Sequence, residues 1–113
     1  MPFDAALLQR ASSWLHCHTN HRIEEKKMFR GVALMVDGKM CVCISGDNLL
    51  CRFNPALQEE VAGKTGYEEM LMKGKSLSGY CYVHPEGFKK EKDFEYWMNL
   101  CLDYNSKAKA SKK

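Results

Sequence analysis

The stretch of sequence that decides the fold is residues 28–53, MFRGVALMVDGKMCVCISGDNLLCRF. Two short breaks, Asp37-Gly38 and Gly46-Asp47, interrupt its apolar residues. An Asp-Gly break between apolar runs indicates a two-residue hairpin turn, because both turn residues tolerate a positive φ. The stretch therefore predicts three antiparallel strands, over about 28–36, 39–45 and 48–53.

Helices are expected on both sides of this stretch. Asp4 can cap a first helix that runs to about residue 18. Its apolar residues recur at helical spacing and are Leu8, Ala11 and Leu15. Asn54-Pro55 supplies a cap and a first-turn proline for a second, short helix over about 55–62.

The C-terminal half adds two strands and a third helix. The strands are expected over about 68–72 and 77–84, on either side of the turn Lys73-Gly74-Lys75. The helix covers about 91–105, and its apolar stripe, which we interpret as core, consists of Phe94, Trp97, Met98, Cys101 and Tyr104.

These elements predict an α+β fold, a two-layer α/β arrangement with an antiparallel sheet in the order α-β3-α-β2-α. The 113 residues suit one domain, residues 1–105, followed by a disordered Lys-rich tail over 106–113. The hydrophobic fraction of 45% and the charged fraction of 27% exclude collagen-like, disordered and transmembrane classes.

Both faces of the predicted sheet are apolar. If the hairpins have two-residue turns, the face under the helices collects Ala33, Met35, Met40, Val42, Ile44, Leu49, Cys51 and Phe53. The opposite face collects Val32, Leu34, Val36, Lys39, Cys41, Cys43, Leu50 and Arg52. A sheet that is covered on one side alone alternates with polar residues, so something should cover this second face.

The cover could be a second copy of the chain, another protein, a small ligand, or the chain's own loops and first helix. Homodimers with twofold symmetry are the commonest soluble oligomers. We therefore predict a protein partner or a homodimer. The predicted interface consists of Val32, Leu34, Cys41, Cys43 and Leu50.

The cysteines and the N-terminus indicate the compartment. The opening MPFDAALLQRASSW has an acid at Asp4 and no uninterrupted apolar run, which predicts no signal peptide and a cytoplasmic protein. Thiols stay reduced there, so we interpret the six cysteines as small buried or half-buried apolar residues. Cys41 and Cys43 are expected to point to one face of a strand.

A cluster of potential metal ligands lies near the end of the first helix. It consists of His16, Cys17, His18 and His21. Imidazole and thiolate suit zinc, copper or nickel. However, His16 and His18 lie about 200° apart on a helix, and no second ligand pair accompanies them. We expect no metal site and no cofactor, and these four residues are weak candidates.

Catalytic signatures are missing from the sequence. Gly63-Lys64-Thr65 and Gly74-Lys75-Ser76 resemble the end of a phosphate-binding loop, but Gln58 and Glu69 stand where such a loop needs a glycine. We therefore predict a non-enzymatic protein with no catalytic residues.

The charge distribution bears on nucleic-acid binding. Thirteen basic and fourteen acidic residues precede residue 106, a net charge of −1, whereas the four lysines after it give +4. Tyr80 and Tyr82 share a strand face and could stack on bases, but their strand neighbours are not basic. Direct nucleic-acid binding is not expected.

Four segments carry a family resemblance, and they are Lys27-Met28-Phe29-Arg30-Gly31, residues 34–40 (LMVDGKM), residues 78–83 (SGYCYV) and Tyr96-Trp97. Over about residues 5–105 the chain resembles the N-terminal domain of TfoX-type competence regulators. The resemblance implies a secretion-chaperone-like α+β fold and positive regulation of genes for natural DNA uptake. It supplies no catalytic residues, and Arg30 stands where the family's Met-Phe-Gly-Gly has a glycine.

The resemblance and the residues together predict a stand-alone, cytoplasmic protein-interaction module with a role in transcriptional regulation. Full-length family members add a helical C-terminal domain, and we expect this protein to act without one. The alternative is a small-ligand or metal-binding protein that uses the histidine cluster or the second sheet face. A third class, a nucleic-acid binder, would use the Lys-rich tail.

Overall fold

The first helix begins where the sequence predicts it. The computed structural model describes residues 4–28 and 31–105, and α1 is Ala5–His18. The Asp4 carboxylate accepts hydrogen bonds from the backbone N–H groups of Ala6 at 2.9 Å and Leu7 at 3.3 Å. These bonds satisfy two of the free N–H groups of the first turn, so Asp4 is the N-cap.

Six strands form one antiparallel sheet in the order β1-β2-β3-β4-β6-β5. They are β1 Ile23–Met28, β2 Gly31–Val36, β3 Lys39–Ser45, β4 Asn48–Arg52, β5 Tyr67–Met72 and β6 Lys75–Val83. The other helices are α2, Gln58–Ala62, which follows a 3-10 turn at Pro55–Leu57, and α3, Glu91–Asn105, which follows a 3-10 turn at Pro85–Gly87. The α+β class is confirmed.

The residue pairs that flank the two-residue turns are the ones that the sequence predicts. Asp37 and Gly38 have φ values of 58° and 79°, and Val36 pairs with Lys39. Ser45 pairs with Asn48 across the turn that begins at Gly46. The β5-β6 hairpin has the same kind of turn, since Lys73 and Gly74 both have positive φ.

Strand β1 corrects the expected element order. The predicted strand 28–36 is two strands, since β1 ends at Met28 and β2 begins at Gly31, and residues 29 and 30 lie outside the described part. In the described residues the order is α-β4-α-β2-α, with one strand more than predicted. Residues 24–27, EEKK, are all exposed at the sheet edge, where charge replaces the apolar alternation that marks a strand.

A bulge in β3 changes which residues lie on each face of the sheet. Leu34 pairs with Val42, but Met35 pairs with Met40, so Cys41 is an extra residue without a counterpart on β2. An extra residue in one strand shifts the alternation beyond it by one position. Strict alternation from the turn therefore assigns residues on one side of the bulge to the wrong face.

Two apolar clusters result, one on each face. The helix-side cluster contains residues of α1, α2 and α3 and these strand residues: Leu34, Val36, Cys41, Val42, Ile44, Leu49, Cys51, Cys81 and Val83. The second cluster, which we name the open face, consists of strand residues in the part of the chain that the structure describes: Ala33, Met35, Met40, Cys43, Leu50 and Met70, with the partly buried Leu77, Tyr80 and Tyr82. Of the predicted helix-side residues, Ala33, Met35 and Met40 lie on the open face.

Helix α3 is fixed to the helix-side face at its N-terminal half. The indole N–H of Trp97 donates to the Gly87 carbonyl at 2.9 Å, and Trp97 is 1% exposed. Arg10 of α1 lies 3.9 Å from the ring centroid of Phe94 and donates to the Phe88 carbonyl at 3.2 Å. These contacts hold α1 and α3 together on the helix-side face.

The proposed tail, residues 106–113, lies outside the described residues. Within the described ranges, no helix is long and apolar enough to cross a membrane.

Candidate interaction surface

The open face has a buried floor and a partly exposed rim. Ala33, Cys43 and Leu50 form the floor, and each is 0% exposed. Longer side chains surround them, and these are Met35, Met40, Met70, Leu77, Tyr80 and Tyr82. Leu77 and the two tyrosines keep part of their surface exposed, so any partner of this face would contact them first.

A glycine positions the β6 part of the rim. Gly79 has a φ of 86°, and its N–H donates to the Gln58 side-chain oxygen at 3.0 Å. Its carbonyl accepts from the Phe53 N–H at 2.8 Å. The pairing of β5 with β6 shifts here, between Glu69 and Leu71. The shift places Met70, Leu77 and Tyr80 on the same face as Tyr82.

One row of residues crosses the whole open face. Directly opposite partners on successive strands connect Lys26, Ala33, Cys43, Leu50, Tyr82 and Glu68, in that order. The four central residues are apolar or aromatic, and the two ends carry opposite charges. Lys26 lies on edge strand β1 and Glu68 on edge strand β5, and both are exposed. The face therefore has a basic end and an acidic end.

Nearby charges surround these two ends. The Glu68 carboxylate contacts the Nε2 of His84 at 2.5 Å, with side-chain exposures of 56% and 40%. Glu24, on the same face of β1 as Lys26, pairs with Arg22 at 2.7 Å. Exposed pairs of this kind contribute little to folding stability, so their side chains can change partners at small cost.

The predicted interface residues divide between the two faces. Cys43 and Leu50 lie on the open face as predicted. The assignment of Leu34 and Cys41 to that face is wrong, since both are fully buried in the helix-side cluster. Val32 is also misassigned, because it stands opposite Ile44 of the same cluster. That an interface forms on the second face stays a prediction.

Sequence reasoning misses the methionines of the rim. It assigns Met35 and Met40 to the other face and Met70 to no face. Tyr80 and Tyr82 share a face, as predicted, but a basic residue stands nearby, since Arg52 pairs with Tyr80 and its guanidinium carbon lies 5.8 Å from the ring centroid. The Tyr80-x-Tyr82 spacing was the signal that pointed to this rim.

The histidine cluster is spread over exposed surface. His18 stacks on Trp14 with ring centroids 3.8 Å apart, and its Nδ1 lies 2.8 Å from the Trp14 carbonyl. His21 lies 3.3 Å from the Asp37 carboxylate. His16 and Cys17 are exposed. In the part of the chain that the structure describes, no group of three or more potential ligands is placed to hold a metal ion.

Five of the six thiols are buried, and Cys17 is exposed. Cys41 and Cys43 point to opposite faces because of the bulge, which contradicts the expectation that they share one. Burial raises the pKa of Cys43 to about 12. Burial, and then the neighbouring Cys101, raises the pKa of Cys41 well above its usual value. At neutral pH these thiols are protonated and pack as small apolar groups.

Cys51 is the centre of a group of buried thiols. Hydrogen bonds with Cys101 and Cys81, followed by burial, raise its pKa well above the usual value. Cys51 and Cys81 stand directly opposite each other on β4 and β6. The group lies in the helix-side cluster, away from the open face.

Residues 16–104 match the family model described as the TfoX N-terminal domain. The match spans all six strands, and with them every residue of the open face. No curated protein and no solved structure matches the chain significantly.

Proposed function

The chain belongs to the TfoX N-terminal domain family, and on that premise we propose that it is a non-enzymatic protein-interaction module of the competence-regulator type. It acts in the cytoplasm on transcription through protein contacts rather than through direct nucleic-acid binding. Its interaction surface is the open face. The observation that carries the proposal is a second apolar cluster, built from strand residues in the described part of the chain, with two partly exposed tyrosines at its rim.

The composition of the rim supports a protein partner. Tyrosine and methionine are enriched at protein interfaces, because they supply large contact area, and methionine adapts its shape to the surface that it meets. Tyr80 and Tyr82 keep part of their rings exposed above the buried floor. A small ligand would need a concave pocket, whereas this floor is closed by side chains.

The charges at the two edges define the chemistry of the partner. Lys26 and Glu68 border the apolar centre of the face on opposite sides. A complementary surface has an apolar centre, with an acid on one side and a base on the other. Charged rims of this kind select the partner and its orientation more than they add affinity.

The experiment is transcript profiling in the host that carries the gene. Tyr104, predicted as part of the α3 core stripe, is in fact half-buried and lies outside both apolar clusters. Strains express the wild-type protein, Tyr82→Lys, or Tyr104→Lys as the matched control on α3, and immunoblots verify equal amounts. We expect the deletion strain and the Tyr82→Lys strain to share the same altered transcripts, and Tyr104→Lys to match the wild type. Full activity of Tyr82→Lys, or a deletion that alters no transcript, contradicts the proposal.

A further inference from the structure

We propose that the β5 edge of the sheet binds an extended segment of a partner protein, which adds to the sheet as an antiparallel strand. The segment carries two consecutive basic residues next to apolar ones. This edge is a second surface beside the rim of the open face, so the inference goes beyond the proposed function. It follows from the direction of the β5 backbone groups and from the side chains that flank them.

Alternate residues of β5 direct their backbone N–H and C=O groups away from β6. In an antiparallel pair, hydrogen-bonded residues alternate with residues whose backbone groups face outward. The His84 N–H donates to the Gly66 carbonyl at 2.9 Å, so the next residue, Tyr67, is of the outward kind, and so is Glu69. The Tyr67 N–H accordingly donates to the Lys64 carbonyl at 3.3 Å rather than to β6.

The turn at the other end of β5 gives the same alternation. Lys73 and Gly74 both have positive φ, as in a two-residue type I′ turn. The residues that flank such a turn, here Met72 and Lys75, are joined by a backbone hydrogen bond across it. Leu71, which precedes Met72, therefore directs its backbone N–H and C=O outward.

The outward groups of Glu69 and Leu71 are open to a new strand. Within the described parts of the chain, they have no hydrogen-bond partner, and β5 has no neighbour on this side. The irregularity of the hairpin lies in β6, which moves from Cys81 to Ser76 while β5 moves only from Glu69 to Leu71. The β5 edge is therefore continuous, and an incoming strand can bond to two successive outward residues.

The side chains along this edge match an apolar and basic segment. Among the side chains that the structure describes, Leu71 is the one large apolar group with high exposure, at 57%. Glu68 and Glu69 precede it, and both are exposed. Glu68 contacts His84 in an exposed pair that can rearrange at small cost. Because opposite residues of paired strands lie side by side, two consecutive carboxylates match two consecutive basic residues.

The β1 edge does not offer this combination. Its exposed residues 24–27, EEKK, place charges of both signs along the edge, and charged edge residues, lysines above all, discourage strand addition. Residues 70–72 of β5, MLM, carry no charge. The β5 edge is also held in place by α2, since the Gln58 side-chain amide donates to the Tyr67 hydroxyl at 2.7 Å. A preformed edge lowers the cost of binding an extended segment.

A synthetic peptide represents the partner segment. Bound antiparallel, the heptapeptide TVIVKKT places its two lysines opposite Glu69 and Glu68 and its isoleucine opposite Leu71. The reversed peptide, TKKVIVT, has the same composition and net charge, but in the same arrangement its lysines lie opposite Met72 and Leu71. With the full chain, fluorescence anisotropy of the labelled peptides should give an affinity about tenfold higher for TVIVKKT.

Hydrogen exchange shows whether the peptide binds as a strand. In the free chain, the amide protons of Glu69 and Leu71 should exchange much faster than those of Glu68 and Met72, which face β6. With TVIVKKT at about ten times its dissociation constant, the exchange of Glu69 and Leu71 should slow by about tenfold. NMR of the ¹⁵N-labelled full chain measures all four amides. Binding that leaves Glu69 and Leu71 unprotected contradicts strand addition.

Substitutions separate the contribution of the backbone from that of the side chain. Leu71→Pro removes an outward N–H without removing a bond to β6, so it should weaken TVIVKKT binding at least about tenfold. Leu71→Ala keeps the N–H and should weaken binding by about threefold. Circular dichroism checks the fold of both variants.

Charge reversal decides the proposal even if the proline variant does not fold. Glu69→Lys should weaken TVIVKKT binding about tenfold, because the lysines of the peptide then meet a like charge. The matched control is Glu25→Lys on β1, which changes the net charge equally. Glu25 is exposed and stands opposite Leu34, so it lies on the helix side of its edge strand, as Glu69 does. Glu25→Lys should change the affinity by less than about threefold.

The outcomes separate this surface from the proposed function. Preference for TVIVKKT with protection of Glu69 and Leu71 supports strand addition at β5, whatever the transcript experiment shows. Equal affinity for the two peptides, or equal effects of Glu69→Lys and Glu25→Lys, overturns it and leaves the open face unaffected. Concentration-dependent dimers of the free chain that Leu71→Pro removes would assign the edge to a second copy, and they would overturn the partner segment.

Discussion

The two faces of the sheet are equally buried but are covered in different ways. Helices cover the helix-side cluster with large, well-fixed side chains such as Trp97 and Phe94, each 1% exposed. On the open face, the described side chains that surround the floor are methionines, tyrosines and Leu77. Helices therefore cover the first cluster, whereas the second keeps the partly exposed Leu77, Tyr80 and Tyr82, which a partner could contact. On this difference rests our proposal that the first cluster is a structural core and the rim of the second an interaction surface.

The sharpest test of this contrast inserts the same charge on each face. Leu34→Lys buries an ammonium group under the helices, at a position that is 0% exposed, and we expect the protein not to fold. Tyr82→Lys places the same group on the rim, next to Glu68, and should stay folded. Far-UV circular dichroism and urea titration measure both. A folded Leu34→Lys protein would mean that Leu34 faces solvent.

A smaller effect compares two neighbouring leucines on β4. Leu49 faces the helices and Leu50 is part of the floor, and both are 0% exposed. We expect Leu49→Ala to lower the free energy of unfolding by about 3 kcal/mol. Leu50→Ala should cost about 2 kcal/mol, because the flexible methionines around it can partly fill the cavity. Urea unfolding measures both, and a loss below about 0.5 kcal/mol at Leu50 contradicts a packed floor.

Thiol alkylation reports how tightly each face is closed. With iodoacetamide at neutral pH, the exposed Cys17 should react first. Cys43 should follow slowly, because its raised pKa leaves a very small thiolate fraction that grows about tenfold per pH unit. Cys41, under the helices, should react last. Peptide mapping by mass spectrometry gives the order, and equal rates for Cys43 and Cys17 contradict the burial of the open face.

The smallest expected effect on folding concerns the acidic end of the row. Glu68→Gln removes the charge that contacts His84. Both side chains are exposed, so the free energy of unfolding should change by less than about 0.5 kcal/mol. Urea unfolding measures the change, and a loss above about 1 kcal/mol would contradict a weak, exposed pair.

The local elements could be predicted because local chemistry determines them. The Asp37-Gly38 turn, the Asp4 cap and the apolar stripe of α3 each act within a few residues. Strand β1 could not be predicted in this way. Its charged residues 24–27 are tolerated because they lie at an exposed edge of the sheet. The segment is a strand because it pairs with β2, and it has no apolar alternation that would mark it in the sequence.

The face assignment failed at the β3 bulge for a related reason. Residues 40–43, MCVC, are apolar without alternation, so the sequence carries no sign that Cys41 is an extra residue. Both faces of the sheet are apolar as well, so a one-residue shift leaves no misplaced charge to reveal it. The existence of a second apolar face and the shared face of Tyr80 and Tyr82 could be predicted, but the methionines of the rim could not.

The most direct test of the central claim compares transcripts among host strains that lack the gene or express the wild type, Tyr82→Lys or Tyr104→Lys in equal amounts. If the open face is the interaction surface, Tyr82→Lys reproduces the altered transcripts of the deletion strain, while Tyr104→Lys matches the wild type. Wild-type transcripts in the Tyr82→Lys strain would contradict the claim.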